Sequence, residues 1–167
     1  NKVATLRNSR GGVLPDLVRA SRACAAARAR GIPVHPRADE RHIRNTDVQM
    51  LRRAFAGQWG EALEFNIEGD PRPEWLNLVC EVKPEQATLV PVRPGEITSE
   101  AGWRPSADRA VVTAAVARLK ASGIRVSVFI DADEAAARFA RDCGADRIEL
   151  YTEPYARAWL AGGSSAQ

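Results

Sequence analysis

Short apolar runs of four to six residues alternate along this chain with longer amphipathic stretches. That alternation constrains the fold more than any other feature. It is the pattern of βα units around a parallel sheet, in which each strand is buried and each helix covers it. The apolar runs predict strands at Ile32–His35, Ala62–Asn66, Gln86–Pro91, Arg125–Ile130 and Arg147–Tyr151, with Asn1–Leu6 as the tail of an earlier strand. Helices are expected between them, at Pro15–Arg30, Thr46–Phe55 (Thr46 as N-cap), Pro73–Val82, Ser106–Ser122, Asp133–Cys143 and Tyr155–Leu160. Pro near a helix start and Gly just past its end supply the punctuation, as at Pro15 and Gly31. One α/β domain over residues 1–161 is expected, with a flexible tail at 162–167 rich in Gly and Ser. Such a pattern suits either a (β/α) barrel or a doubly wound sheet. The chain has neither GxGxxG nor GxxxxGK[ST], which favours the barrel.

Each predicted strand is apolar in its body and polar where it ends. The ends read His35-Pro36-Arg37, Asn66-Ile67-Glu68, Pro91-Val92-Arg93, Asp131-Ala132-Asp133 and Glu149-Leu150-Tyr151-Thr152-Glu153. Parallel strands bring these ends to one rim, where barrel active sites lie. At any single position a polar strand end is ordinary loop chemistry; repetition over five strands points to a site. Both histidines of the chain, His35 and His42, fall in one segment with Arg37 and Arg41. Imidazoles exchange protons near neutral pH, and guanidinium groups fork onto phosphate. Glu64 and Glu149 interrupt apolar strands, so each is either a desolvated acid/base group or half of a structural ion pair. Strand alternation puts Glu64, Asn66 and Glu68 on one face. Leu6–Gly12 forms a basic, glycine-ended loop able to approach an anion, and Thr98 lies in a long loop as a ligand-binding or capping hydroxyl.

Charge is segregated. Residues 1–53 carry 12 Lys/Arg against 4 Asp/Glu, within a whole-chain net charge of +3. A basic first third suits phosphate-bearing ligands; dispersed arginines with few aromatics among them argue against nucleic acid. No apolar run approaches the roughly 20 residues that span a bilayer, so no membrane partner is expected. Cys24, Cys80 and Cys143 are widely spaced, without a CxxC pair, and are expected to be reduced, packed thiols in a cytoplasmic protein.

Taken in order, Val3–Gly11, Val34-His35-Pro36-Arg37 with Arg41-His42-Ile43, Glu64-Phe65-Asn66, Leu89-Val90-Pro91, Thr98, Val126–Asp131 and Ile148–Thr152 resemble the pyridoxine 5′-phosphate synthase family. The resemblance runs from residue 1 to about 159. It implies a TIM (β/α)8 barrel assembled as a homo-oligomer, commonly an octamer, here lacking the start of strand one and strands seven and eight. It implies condensation of 1-deoxy-D-xylulose 5-phosphate with 3-amino-2-oxopropyl phosphate, without metal or organic cofactor. By resemblance His35 and Glu64 are proton acceptors, and Glu149 stabilises a transition state. Arg37, His42 and Thr98 hold deoxyxylulose phosphate, and Arg10 the aminoketone phosphate. Departures from the family pattern fall at Asn1-Lys2, at Pro33 inside a strand, and at Glu153, where glycine is usual. Two other readings are a metal-dependent hydrolase using His35, His42, Glu64 and Asp131, and a non-catalytic remnant that binds phosphates or a partner subunit.

Overall fold

A computed structural model describes residues 1–59, 62–93, 95 and 99–162. Five strands, β1 (Gly31–Val34), β2 (Glu64–Gly69), β3 (Gln86–Leu89), β4 (Arg125–Asp131) and β5 (Arg147–Tyr151), form one sheet in chain order. All four neighbouring pairs are parallel, with Ile67 opposite Ala87, Ala87 opposite Val126 and Val128 opposite Ile148. The sheet curls into half of a barrel, the arrangement of an incomplete TIM barrel. Helices α1 (Lys2–Ser9), α2 (Leu17–Ala26), α3 (Asn45–Ala54), α4 (Pro73–Val82), α5 (Arg109–Ala121), α6 (Glu134–Asp142) and α7 (Glu153–Leu160) complete the chain. Among the described residues no helix is long and apolar enough to cross a membrane.

The two faces of the sheet differ in chemistry. Phe65, Ile67, Val126 and Val128 point outward and meet Val48, Leu51, Trp75, Val79, Leu119 and Phe139 from the helices; none exceeds 2% exposure. Each such side chain contributes about 1.5–3 kcal/mol of burial energy, and this layer holds helices to sheet. The inner face is polar. Asn66, Gln86, Thr88 and Ser127 are buried there, and hydrogen bonds satisfy three of them. Thr88 donates to Asn66 Oδ1 at 3.0 Å, while Gln86 Oε1 accepts from Arg125 and Arg147 at 3.2 and 3.0 Å.

Three sequence expectations change. Asn1–Leu6 is not the tail of a strand, because Lys2–Ser9 is helical. Its buried positions, Ala4 and Arg7, lie three apart on one helical face, and a buried arginine is invisible to a hydrophobic pattern. Thr46 lies inside α3, whose N-cap is Arg44; the Arg44 N–H is met by Asp47 Oδ2 at 2.8 Å. The thiols are free, but only Cys143 is buried, Cys80 is half-buried and Cys24 is exposed on α2. Pro33 is accommodated because β1 is an edge of the described sheet, where a missing donor is tolerated.

Gly69 ends β2 against a buried ring. A Cβ there would stand 2.3 Å from Trp75 Nε1, on an indole that is 1% exposed and donates to the Glu68 carbonyl at 3.0 Å. Gly69→Ala is expected to lower the unfolding free energy by about 1–3 kcal/mol through overpacking. An unchanged urea midpoint would contradict that packing.

Candidate active site

Parallel strands place their first residues on one rim and their last on the other. His35 follows the last residue of β1, and Glu68 is the last but one of β2. At about 3.3 Å per residue, Glu64, which opens β2, stands roughly 13 Å below Glu68 along the same face. The carboxylate of Glu64 is engaged there by Arg125 and by Arg147, the latter at 3.1 Å; these residues open β4 and β5. Glu64 therefore belongs to an ion-pair network that ties β2, β4 and β5 together at the opposite rim. Glu64, expected as a proton acceptor beside His35, is thus engaged by two arginines and is not among the walls of the cavity that holds His35. The reason is register: β2 begins at Glu64 and runs to Gly69, so the carboxylate at its far end is Glu68. The expected strand stops at Asn66, three residues before Gly69, although Glu68 is read at the polar end and alternation puts the two carboxylates on one face.

At the upper rim a cavity of about 300 Å³ is walled by Asn1, Lys2, Thr5, His35, Arg37, Arg41, His42 and Ser99. Residues from α1, from the end of β1 and from the two loops that follow β1 and β3 meet there. His35 is 8% exposed and Arg37 6%. The His35 Nδ1 atom lies 4.0 Å from Glu68 Oε2, and its Nε2 has no hydrogen-bond partner among the described residues. Burial, reinforced by the Arg37, His42 and Arg72 side chains nearby, whose positive forms oppose a second positive charge, pushes the imidazole down to about 3. Burial, with the negative Glu149 adding to it, raises Glu68 to about 7. Near neutral pH the pair is thus a neutral imidazole beside a carboxyl group at its own midpoint, and it is the carboxyl group that has the poise required for moving protons.

His42 stands 6.0 Å from His35, ring centre to ring centre, and burial lowers its pKa. Its Nδ1 accepts the Ile43 N–H at 2.9 Å, so the neutral ring carries its proton on Nε2. The turn that presents these residues is pinned at its start by Arg72, which donates to the Pro36 carbonyl at 2.9 Å and pairs with Asp70.

Among the expected site residues, the structure brings His35, Arg37 and His42 to one cavity. Glu149, on β5, reaches this rim electrostatically through Glu68. Arg10 is exposed at the C-terminal end of α1, outside the walls of the cavity. Thr98 lies outside the described residues. The four residues of the metal-hydrolase reading are not brought together: Glu64 is on the far rim, and Asp131 accepts the Gly102 N–H at 2.9 Å, anchoring a loop. Sequence reasoning gave no role to Arg72 or Thr5, named Lys2 only as a departure from the family pattern, and named Glu68 only as a strand-end residue. Only Glu68 had a usable signal, in its alternation with Glu64 and Asn66.

Solved structures with the same fold are a phosphonomutase-like protein of Burkholderia cenocepacia J2315, with a TM-score of 0.55 and 16% identity over 88% of this chain and 62% of that one. A second is a D-psicose 3-epimerase of Clostridium cellulolyticum H10, with a TM-score of 0.51 and 9% identity over 81% of this chain and 57% of that one. At such identity they bear on the fold alone. Relatives named pyridoxine 5′-phosphate synthase are far more similar. That of Bacteroides thetaiotaomicron is 50% identical over 159 residues, covering 95% of this chain and 65% of the relative. That of Mesorhizobium japonicum is 50% identical over 155 residues, covering 93% and 63%. The chain thus spans slightly less than two thirds of the length of such relatives. The family model of the pyridoxal phosphate biosynthesis protein PdxJ matches residues 1–167, and the chain belongs to that family.

Proposed function

We propose that this chain carries the acid–base and phosphate-holding part of a pyridoxine 5′-phosphate synthase site. The reaction is condensation of 1-deoxy-D-xylulose 5-phosphate with 3-amino-2-oxopropyl phosphate to pyridoxine 5′-phosphate, with release of phosphate and water. One observation carries the reading: a neutral His35 faces a near-neutral Glu68 across 4.0 Å, beside a cavity edged by Arg37, Arg41, His42 and Lys2. Joining an amine to a ketone, expelling water and closing a ring each require a proton to be taken from one atom and given to another. Glu68, half protonated near pH 7, serves as either donor or acceptor; His35 accepts. Arg37 and the Nε2–H of His42 supply charge and a directed donor for a phosphate. Glu149, by its charge, keeps Glu68 high. Family membership and the relatives' name support the substrates.

A second reading is phosphate binding without turnover, which the basic lining of the cavity, Lys2, Arg37, Arg41 and His42, supports by itself. Calorimetric titration with deoxyxylulose phosphate, followed by assay for the pyridine product, separates the two. One-to-one binding is expected, weakened about tenfold by Arg37→Ala for the lost charged hydrogen bond and unchanged by Glu64→Gln. Where product forms, Glu68→Gln is expected to slow it by roughly 10²-fold or more. Heat from neither substrate would end both readings.

Folding should report the same poise. Glu68 is raised in the folded state, so the unfolded chain binds fewer protons between pH 4.5 and 7, and this group's contribution to stability falls as pH rises through that window. His35 is lowered, so its contribution is lost as pH falls from 6.5 toward 3. Between pH 4.5 and 6.5 the two oppose each other, each with a limiting slope of about 1.4 kcal/mol per pH unit. Relative to the parent, His35→Gln is expected to lose stability with rising pH there, and Glu68→Gln to gain it. Parallel urea-midpoint profiles for all three proteins would contradict these shifts.

A further inference from the structure

The basic segment Leu6–Gly12 does not serve as an anion loop in its first half. Arg7 is 7% exposed and turned inward, where its two terminal nitrogens meet both carboxylate oxygens of Asp47 at 2.7 and 2.8 Å. Asp47 is 5% exposed and forty residues away in sequence. The same Arg7 Nη2 reaches the His42 carbonyl at 3.3 Å. Asn8 Nδ2 donates to that carbonyl at 2.9 Å, while Asn8 Oδ1 accepts from Arg7 Nε and Nη2 at 3.1 and 2.9 Å. Two donors from α1 therefore converge on one backbone oxygen, and one of them is locked by a buried, two-pronged ion pair.

That oxygen belongs to a peptide plane with a second task. The carbonyl of His42 and the N–H of Ile43 are parts of one rigid, planar unit, so fixing one fixes the other. The Ile43 N–H is the group that donates to His42 Nδ1 at 2.9 Å. Holding the carbonyl thus aims the N–H at Nδ1 and leaves Nε2 to carry the proton, on a ring that lines the cavity. Asp47 contributes twice, since its Oδ2 also takes the Arg44 N–H at 2.8 Å at the start of α3.

We propose that Arg7, Asn8 and Asp47 form a positioning clamp that sets the orientation and tautomer of His42, so that it presents an Nε2–H to a phosphorylated ligand. None of the three is among the walls of the cavity, and they act through His42. The effect on ligand affinity rests on the phosphate-site reading; the effect on the His42 ring does not.

The test uses the whole chain labelled with ¹⁵N in its imidazoles. Long-range ¹H–¹⁵N correlation should show His42 in the parent with Nδ1 unprotonated and Nε2 protonated. Asn8→Ala removes one donor and leaves the ion pair, so the fold is retained; Arg7→Lys keeps the charge but cannot fork. In both variants the two His42 nitrogen shifts are expected to move toward each other as the tautomers mix. The dissociation constant for inorganic phosphate is expected to rise about fivefold, the loss of roughly one hydrogen bond. A His42 pattern identical to the parent's in Asn8→Ala would overturn the clamp. Failure of the parent itself to bind phosphate, with the tautomer change still present, would sustain the clamp and count against the phosphate site.

Discussion

Every placement in this molecule follows from the five strands running the same way. In a parallel sheet a residue's position along its strand decides which rim it occupies, and alternation decides which face. The outward face is packed by helices through Phe65, Ile67, Val126 and Val128, so polar groups have only the inner face and the rims. At the rim where strands begin, Glu64, Gln86, Arg125 and Arg147 neutralise and bridge one another. Where β1 ends, His35, Arg37 and His42 line a cavity, and the Glu68 carboxylate at the end of β2 lies 4.0 Å from His35. The two rims carry similar residue types, but one closes on itself and the other stays open to a ligand.

Desolvation is the electrical engine of the open rim. The same burial drives His35 down and Glu68 up, because each loses the water that would stabilise its charged form. Neighbouring charge sharpens the contrast: arginines oppose protonation of the imidazole, and Glu149 opposes ionisation of Glu68. Backbone pins fix the geometry in which this happens, with Arg72 on Pro36 at one end of the turn and Arg7 with Asn8 on His42 at the other.

Much of the fold was legible in the sequence because apolar runs and amphipathic stretches report directly on burial, and β5 and α4 fall at their expected bounds. His35, Arg37 and His42 were legible as a site because they crowd one strand end. Glu64 and Glu68 were not separable in the sequence, because a carboxylate inside an apolar run reads the same whether it opens a strand beside arginines or closes one beside a histidine; only the register of β2 separates the cases. The α1 segment was hidden for a related reason. Arg7 is buried by an ion pair with Asp47, a contact across forty residues that no local periodicity encodes.

The central claim is that the carboxyl group poised for proton transfer sits at the strand-end rim and belongs to Glu68. A ¹³C titration of the glutamate side-chain carboxyls tests it most directly. One resonance should titrate near pH 7, vanish in Glu68→Gln and persist in Glu64→Gln. A spectrum in which every glutamate titrates below about 5, or in which the high resonance is lost with Glu64, would contradict it.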